Sequence, residues 1–273
     1  MDEQKIVEIH ENVLYPVVRV RTDKAGGTGL IIYSAKMPES EAYETYVVTC
    51  HHVVSDAIAF IKKWSAIAQR EITVEDRALV QVEVFKYEKL SRCVGGTTYQ
   101  AEIVAWDKQL DIAVLKIRAE EAFKHVAKLY PKGREADIKL GHPTIACGCS
   151  LGHEPFFNFG SLVAKHDIIE NKEYWMSTSN VIFGNSGGPV FLGDTYEYIG
   201  NTARVSGIQL GFGLDIITWM GFFIPMSSIY EFFDTSFLQF LYDKQYTSKQ
   251  CEELRKKKME EEERKLLIPQ TLT

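Results

Sequence analysis

The strongest constraint on the fold of this chain is a succession of short apolar-rich runs separated by Gly, Asn and Pro. VVRVRT after Pro16 alternates apolar and polar residues as a half-buried strand does. LIIYSA, TYVVTC, ALVQVEVFKY, YQAEIVAW, IAVLKI, TIACGCS, GSLVAKH, YWMSTS, GPVFLG, RVSGIQLG and GFFIP follow in the same texture, and GGTG at 26–29 reads as a turn. So many short strands favour an antiparallel all-β sandwich or barrel over an α/β fold. Helical periodicity is expected only at 3–12, 55–70, 119–129 and the C-terminus. Ile6, Ile9 and Val13 share one side of the first of these segments. There is no internal repeat.

The 273 residues, 45% of them hydrophobic, suffice for one large core or two small ones. A net charge of −6 gives no reason to expect nucleic acid or an anionic membrane as partner. No basic stretch precedes an apolar run at the N-terminus, so no signal peptide is expected. No stretch reaches the ~18–20 apolar residues of a membrane span. Cys50, Cys93, Cys147, Cys149 and Cys251 are odd in number and hold no CxxC pair. They read as reduced thiols, and a cytoplasmic location is the expectation.

Beyond Ser227, Ile229, Phe232, Phe233, Phe237, Phe240 and Leu241 recur at three- and four-residue steps, predicting a helix packed on the strands. Residues 236–273 form a charged helical tail. In it Thr247 and Gln250 resemble a capping box, and Glu252–Lys256 and Glu253–Lys257 are acid-before-base pairs. The tail is either an arm for self-association or a partner, or a solvated extension.

Three segments carry chemistry. In FGNSGGPVF (183–191), Gly184 is free to turn its N–H inward, and Ser186 presents its hydroxyl beside its own N–H. A Gly-rich turn between strands is the plain alternative. An α/β-hydrolase elbow would need a helix where PVFLG continues as a strand. In TYVVTCHHVV, His51 and His52 end a strand. Adjacent histidines point apart, so one could serve as base for the serine. A metal site finds no second ligand cluster, and no metal or cofactor is expected. In WDKQLDIAVLKI, Asp111 opens an apolar strand, where it could orient an imidazole, while Asp107 fits a turn. Cys50 reads as a buried strand thiol and His153 as a loop residue. Trp64, Trp106, Trp175 and Trp219 read as packing residues.

Taken together, TCHHVVSDA, DIAVLKI and GNSGGPV resemble the three active-site blocks of trypsin-like serine peptidases, most closely the HtrA/Deg branch. GHPTIACGCSLGHEPFFNFGSLVAKHD, VSGIQLG and GFFIPMSSI extend the resemblance over residues 4–235. It implies two antiparallel six-stranded β-barrels, the first at about 15–118 and the second at about 135–226, with the helical tail behind them and no PDZ segment. It implies a catalytic triad of His52, Asp111 and Ser186, because TCHHVV matches the family's Thr-Asn-X-His-Val-Val. The oxyanion hole would be the N–H groups of Gly184 and Ser186. The specificity pocket would lie between Thr178–Phe183, with Asn180 at its base, and the strand holding Ile208, Gln209 and Leu210. Asn180 offers no counter-charge to a basic side chain, so a small or aliphatic residue before the cut is expected. Asn185 replaces the aspartate that receives a freed N-terminus in digestive relatives, so control through loop order is expected instead. The 59 positions from His52 to Asp111 are long for the family, and 62–98 is expected to form an extended hairpin near the cleft. The implied activity is serine endopeptidase on polypeptides, with a catalytically weak binding scaffold as the alternative. An esterase on another fold is a further alternative.

Overall fold

The computed structural model describes residues 2–37, 42–65 and 69–267. In chain order the elements are α1 (Glu3–Ile9), β1 (Val17–Arg21), β2 (Gly26–Lys36), β3 (Tyr43–Thr49), α2 (His51–Val54), β4 (Ile58–Ser65), β5 (Arg70–Arg77), β6 (Val80–Glu88), β7 (Arg92–Asp107) and β8 (Ile112–Ala119). Then follow β9 (Lys128–Leu129), β10 (Pro143–Gly148), β11 (Phe156–Ile169), β12 (Lys172–Ser177), β13 (Pro189–Leu192), β14 (Glu197–Leu210), β15 (Gly213–Pro225), α3 (Met226–Thr235) and α4 (Ser248–Leu267).

The alternating strands close on themselves. β1-β2-β3-β8-β7-β6 form a closed antiparallel barrel. The remaining long strands run in the order β13-β10-β11-β12-β15-β14, and pairing of β13 with β14 closes this second ring; β9 adds in parallel outside β14. Closure removes the open edges of the long barrel strands. Register follows the apolar side of each strand. Val17, Val18, Val20, Val47, Val48, Val82 and Leu115 are fully buried in the first barrel. Trp175, Phe191, Tyr198 and Phe223 are buried in the second. Each such side chain contributes roughly 1.5–3 kcal/mol.

Four local expectations change. GGTG lies inside β2; the turn is Thr22–Ala25, where the Thr22 N–H donates to the Ala25 carbonyl. The glycines are there for close approach: a Cβ on Gly29 would sit 2.6 Å from Val47 Cγ1. Residues 55–70 are not a helix. After one 3-10 turn (Ser55–Ala57) the chain enters β4, which pairs only with β5. The insertion is therefore 58–77, and 80–98 belongs to barrel strands β6 and β7. The 119–129 segment is irregular apart from β9. At the N-terminus the expected helix is α1 continued by a π-helical turn, His10–Leu14. Of the tryptophans, Trp175 is buried, whereas Trp64 and Trp219 are exposed.

The C-terminal helix prediction divides at Phe237, whose φ is +52°. α3 ends before it, and a 3-10 turn (Gln239–Leu241) sets Phe240 edge-on to Tyr33 and Tyr46 of the first barrel. Thr247 and Gln250 form the capping box at α4: the Gln250 N–H donates to Thr247 Oγ1, and the Thr247 N–H to Gln250 Oε1. Lys256 pairs with Glu252 at 3.0 Å. No helix among the described residues is long and apolar enough to cross a membrane.

Candidate active site

β3 delivers the base. Cys50 keeps the extended conformation, and the chain then coils into α2, which carries His51 and His52 in its first turn. Asp111 closes the turn between β7 and β8 with φ at +58°, a left-handed conformation that Asp and Asn tolerate better than most residues. Its carboxylate reaches His52 twice: Oδ1 accepts the His52 backbone N–H at 2.9 Å, and Oδ2 lies 2.8 Å from Nδ1. Its carbonyl accepts the His51 N–H at 3.2 Å. An ionised carboxylate can only accept, so Nδ1 carries the proton of this contact and Nε2 is the ring nitrogen left outside it. The Asp111 side chain is 12% exposed and that of His52 46%, so the pair is buried at the acid and open at the base.

His51 points the other way. It is buried against Trp106, with ring centroids 5.0 Å apart. Burial pushes its pKa below the usual histidine range against the opposing pull of Asp111, so it stays neutral. Trp106 Nε1 and Arg77 Nε both donate to Glu75 Oε1 at 2.6 Å, and Arg77 Nη1 also reaches the carbonyls of Ile103 and Val104. The β4–β5 hairpin is thereby strapped beside the histidines. Phe60 on the hairpin lies edge-on to Trp106 and lines a cavity of about 410 Å³ with His52, Asp111, Lys108 and Lys172.

The serine is delivered by the second ring and held by the first. Gly184 has φ +95°, and a Cβ there would come within 2.5 Å of the Cys149 carbonyl oxygen. Its own carbonyl accepts from Thr28 Oγ1 at 2.6 Å, and the Thr28 N–H donates to the Ser186 carbonyl at 2.9 Å. Gly187 has φ +81° and packs so tightly that a Cβ would meet Thr49 Oγ1 at 2.2 Å and the Cys50 nitrogen at 2.8 Å. The Gly187 N–H and Cys50 Sγ both donate to the Thr202 carbonyl. Ser186 is thus fixed between β2 and β14, against the residues that lead into His52. The Phe183 carbonyl accepts the Leu151 N–H at 2.7 Å. A trans peptide is planar, so the Gly184 N–H points the opposite way. Among the described residues, neither the Gly184 nor the Ser186 N–H is engaged by a backbone acceptor. Asn185 is buried and accepts at Oδ1 from Ser150 Oγ (2.6 Å) and from the Ile182 N–H (3.1 Å). It ties the loop at 150–152 to the nucleophile turn.

Of the expected pocket residues, the 178–183 segment leads directly into the turn that carries Ser186. Val181 is buried over Gly221, its N–H donates to the Thr218 carbonyl, and Asn180 Oδ1 accepts from Thr218 Oγ1 at 3.5 Å. The opposite wall is displaced. β14 meets the nucleophile turn at Thr202, whose N–H donates to the Gly188 carbonyl. Ile208 lies six residues further, roughly 20 Å along an extended strand. Ile208 and Gln209 pair with Asp215 and Leu214 near the exposed hairpin end, and the Leu210 side chain lies outside the described ones. The strand beside the serine is therefore Thr202–Val205, because β14 runs several residues beyond the site. Sequence reading missed Thr28, Leu151 and Thr202; the small residues flanking Thr28 were the available signal.

Cys50 Sγ, His52 and Asp111 present ligand atoms within 4.8 Å of one another. Burial pushes the Cys50 thiol well above its usual range, and it acts as a donor to Thr202, while His52 Nδ1 is committed to Asp111. A metal here would have to displace both the Cys50–Thr202 and the His52–Asp111 hydrogen bonds.

A sequence model of the trypsin-like peptidase domain matches residues 27–200. A probable periplasmic serine endoprotease, DegP-like, of Chlamydia trachomatis is 29% identical over 70% of this chain and 32% of its own length. The mitochondrial serine protease HTRA2 of Bos taurus is 32% identical over 45% of this chain and 28% of its own. The chain therefore spans about a third of the length of these curated relatives. The crystal structure of Deg5 superposes with a TM-score of 0.58 at 18% identity, covering 85% of this chain and 94% of that one. The HtrA-type protease AlgW with tripeptide gives 0.58 at 19%, covering 88% and 64%. Two Chlamydia relatives are named as periplasmic, which overturns the cytoplasmic expectation. The thiols were a poor guide to compartment. Cys50, Cys147, Cys149 and Cys251 are buried, and buried thiols stay unpaired whatever the surrounding redox poise. With HtrA and Deg proteins among both its relatives and its structural neighbours, the chain belongs to the trypsin-like peptidase domain family.

Proposed function

We propose that this chain is a serine endopeptidase acting on polypeptides through an acyl-enzyme at Ser186. The observation that carries the reading is the double grip of Asp111 on His52, at the backbone N–H and at Nδ1. That grip holds the ring by its Nδ1 edge and leaves the half-exposed imidazole to present Nε2 to the serine, the orientation a general base requires. His52 takes the Ser186 proton as the hydroxyl attacks the scissile carbonyl, then returns it to the leaving amine. Asp111 orients the ring and stabilises the imidazolium. The Gly184 and Ser186 N–H groups receive the oxyanion, each such donor being worth about 2.7–4 kcal/mol at the transition state.

The residue before the cut is read as small or aliphatic. Asn180 brings no charge to the pocket, and Val181 over Gly221 narrows it. We assign the first barrel to about 15–118 and the second to about 135–226. Self-association or partner binding through α4, where Leu254 and Met259 are exposed, belongs to the same proposal.

The test is labelling by a fluorophosphonate probe and cleavage of an unfolded protein substrate, with Ser186→Ala as control. Labelling and cleavage that both vanish in the variant are expected. Absence of both in the unaltered chain between pH 6 and 9 sinks the reading, and dominant cutting after Arg or Lys sinks the pocket assignment.

A further inference from the structure

On the β2 side of the serine, a cavity of about 210 Å³ opens directly from Gly184. Its lining residues include two arginines, Arg19 and Arg21 of β1, with Gly27, Leu151 and Phe183, and no acidic residue. The two arginines are not equivalent. Arg19 is committed: Nε and Nη2 bond Glu83 Oε2, Nη1 donates to the Gly152 carbonyl, and the group lies over the Phe85 ring at 5.3 Å. Arg21 has no ion-pair partner among the described residues and is exposed. Its position is nonetheless defined. The turn that follows it is pinned where Asp56 accepts from Thr22 Oγ1 and from the Lys24 N–H.

Ser186 stands between β14, which bonds Gly187 and Gly188 through Thr202, and β2, which bonds the Ser186 carbonyl through Thr28. If the acyl half of a substrate lies along β14, the leaving half crosses toward β2 and the Arg21 cavity. A cavity of this volume spans roughly 6 Å, two residues of extended chain at about 3.3 Å each. We propose that Arg21, beside the fixed Arg19, forms a subsite for an acidic side chain at the second substrate position after the cut. This assignment rests on the endopeptidase reading. Its physical basis is an exposed arginine without a carboxylate partner among the described residues, on an anchored turn that lines a concave surface.

The experiment compares peptides identical except for Glu, Gln or Lys at that position. The readouts are kcat/KM with the unaltered protein, and dissociation constants by fluorescence anisotropy with Ser186→Ala. A partly exposed pair should give roughly a fivefold preference for Glu over Gln in both readouts. Arg21→Gln should bring the ratio to about one, and Arg21→Glu should invert it toward Lys. Lys24→Gln, on the same turn but outside the cavity, should preserve it. A Glu preference that survives Arg21→Gln overturns the proposal, as does one lost equally in Lys24→Gln. If nothing is cleaved, the endopeptidase reading fails on its own, and the binding ratios still decide for or against the subsite.

Discussion

The Leu151 amide donates to the Phe183 carbonyl at 2.7 Å, and this contact turns the next N–H, that of Gly184, away from the 150–152 loop. Leu151 reaches that position with φ at +53°. The orientation of the proposed oxyanion donor is thus set by a residue 33 positions upstream of it in sequence. Gly184→Ala should disrupt the arrangement. Its φ is +95°, and the added methyl would lie within 2.7 Å of the Leu151 nitrogen. Loss of one donor predicts a drop in kcat of about 10²–10³-fold. Peptide hydrolysis, read beside a thermal melt to confirm folding, checks this.

Asp111→Asn should be more damaging to rate than to fold. Asn tolerates the left-handed backbone at 111 and can still accept the His52 N–H, so the turn should persist. Its amide cannot hold the Nδ1 proton and stabilise an imidazolium as a carboxylate does. We expect kcat to fall by about 10⁴-fold, with a thermal midpoint close to that of the unaltered protein.

His51 should make the fold acid-sensitive. Its pKa is depressed by burial in the folded state, and burial likewise depresses that of His125. Below the ordinary histidine range near 6.5, the unfolded chain binds protons that the folded chain refuses. Stability therefore falls as pH falls through that range. Thermal midpoints between pH 8 and 5 should show the decline, and His51→Gln should flatten it. An unchanged slope in the variant would remove His51 as a cause.

Phe60→Ala should raise KM for peptides with a large apolar residue two positions before the cut, by about threefold to tenfold, with kcat little changed. Phe60 is 62% exposed at the edge of the cavity beside His52, so removing it leaves no hole in the core. A peptide series varied at that position would reveal whether the hairpin touches substrate.

Arg255 on α4 donates from Nη1 to the Phe237 carbonyl at 2.6 Å, where the α3 segment breaks. Arg255→Ala should cost about 1.5–3 kcal/mol, the range for a hydrogen bond to a charged group. A lowered urea midpoint with unchanged m-value would register it.

Much of this fold is written in local alternation. β1 and the second half of β7 show an apolar period that survives into the buried faces, β3 and β8 read as continuous buried runs, and His52 and Asp111 sit at the ends of β3 and β7. The bounds of the β4–β5 hairpin were not legible, because most of its residues stay exposed and exposure erases the period: Trp64 faces solvent beside Lys62 and Lys63. The glycines at 26–29 misled for the opposite reason. Their smallness serves contacts 20 to 160 positions away, at Val47, Val53 and Ser186, which no local window contains. The strand opposite Ser186 was placed too late because VSGIQLG carries the stronger strand texture. Asn201 and Thr202, buried polar residues that meet the nucleophile turn, carry little.

Thr28 bonds two alternate peptide groups of the 184–187 turn in the opposite barrel, through its hydroxyl at the Gly184 carbonyl and its amide at the Ser186 carbonyl. The two halves of the molecule therefore cannot drift apart and leave a competent hydroxyl behind on either one. On the proposed endopeptidase reading, inactivation and separation of the barrels are expected to coincide, so residual cleavage in a partly denatured sample would count intact molecules rather than weakened ones.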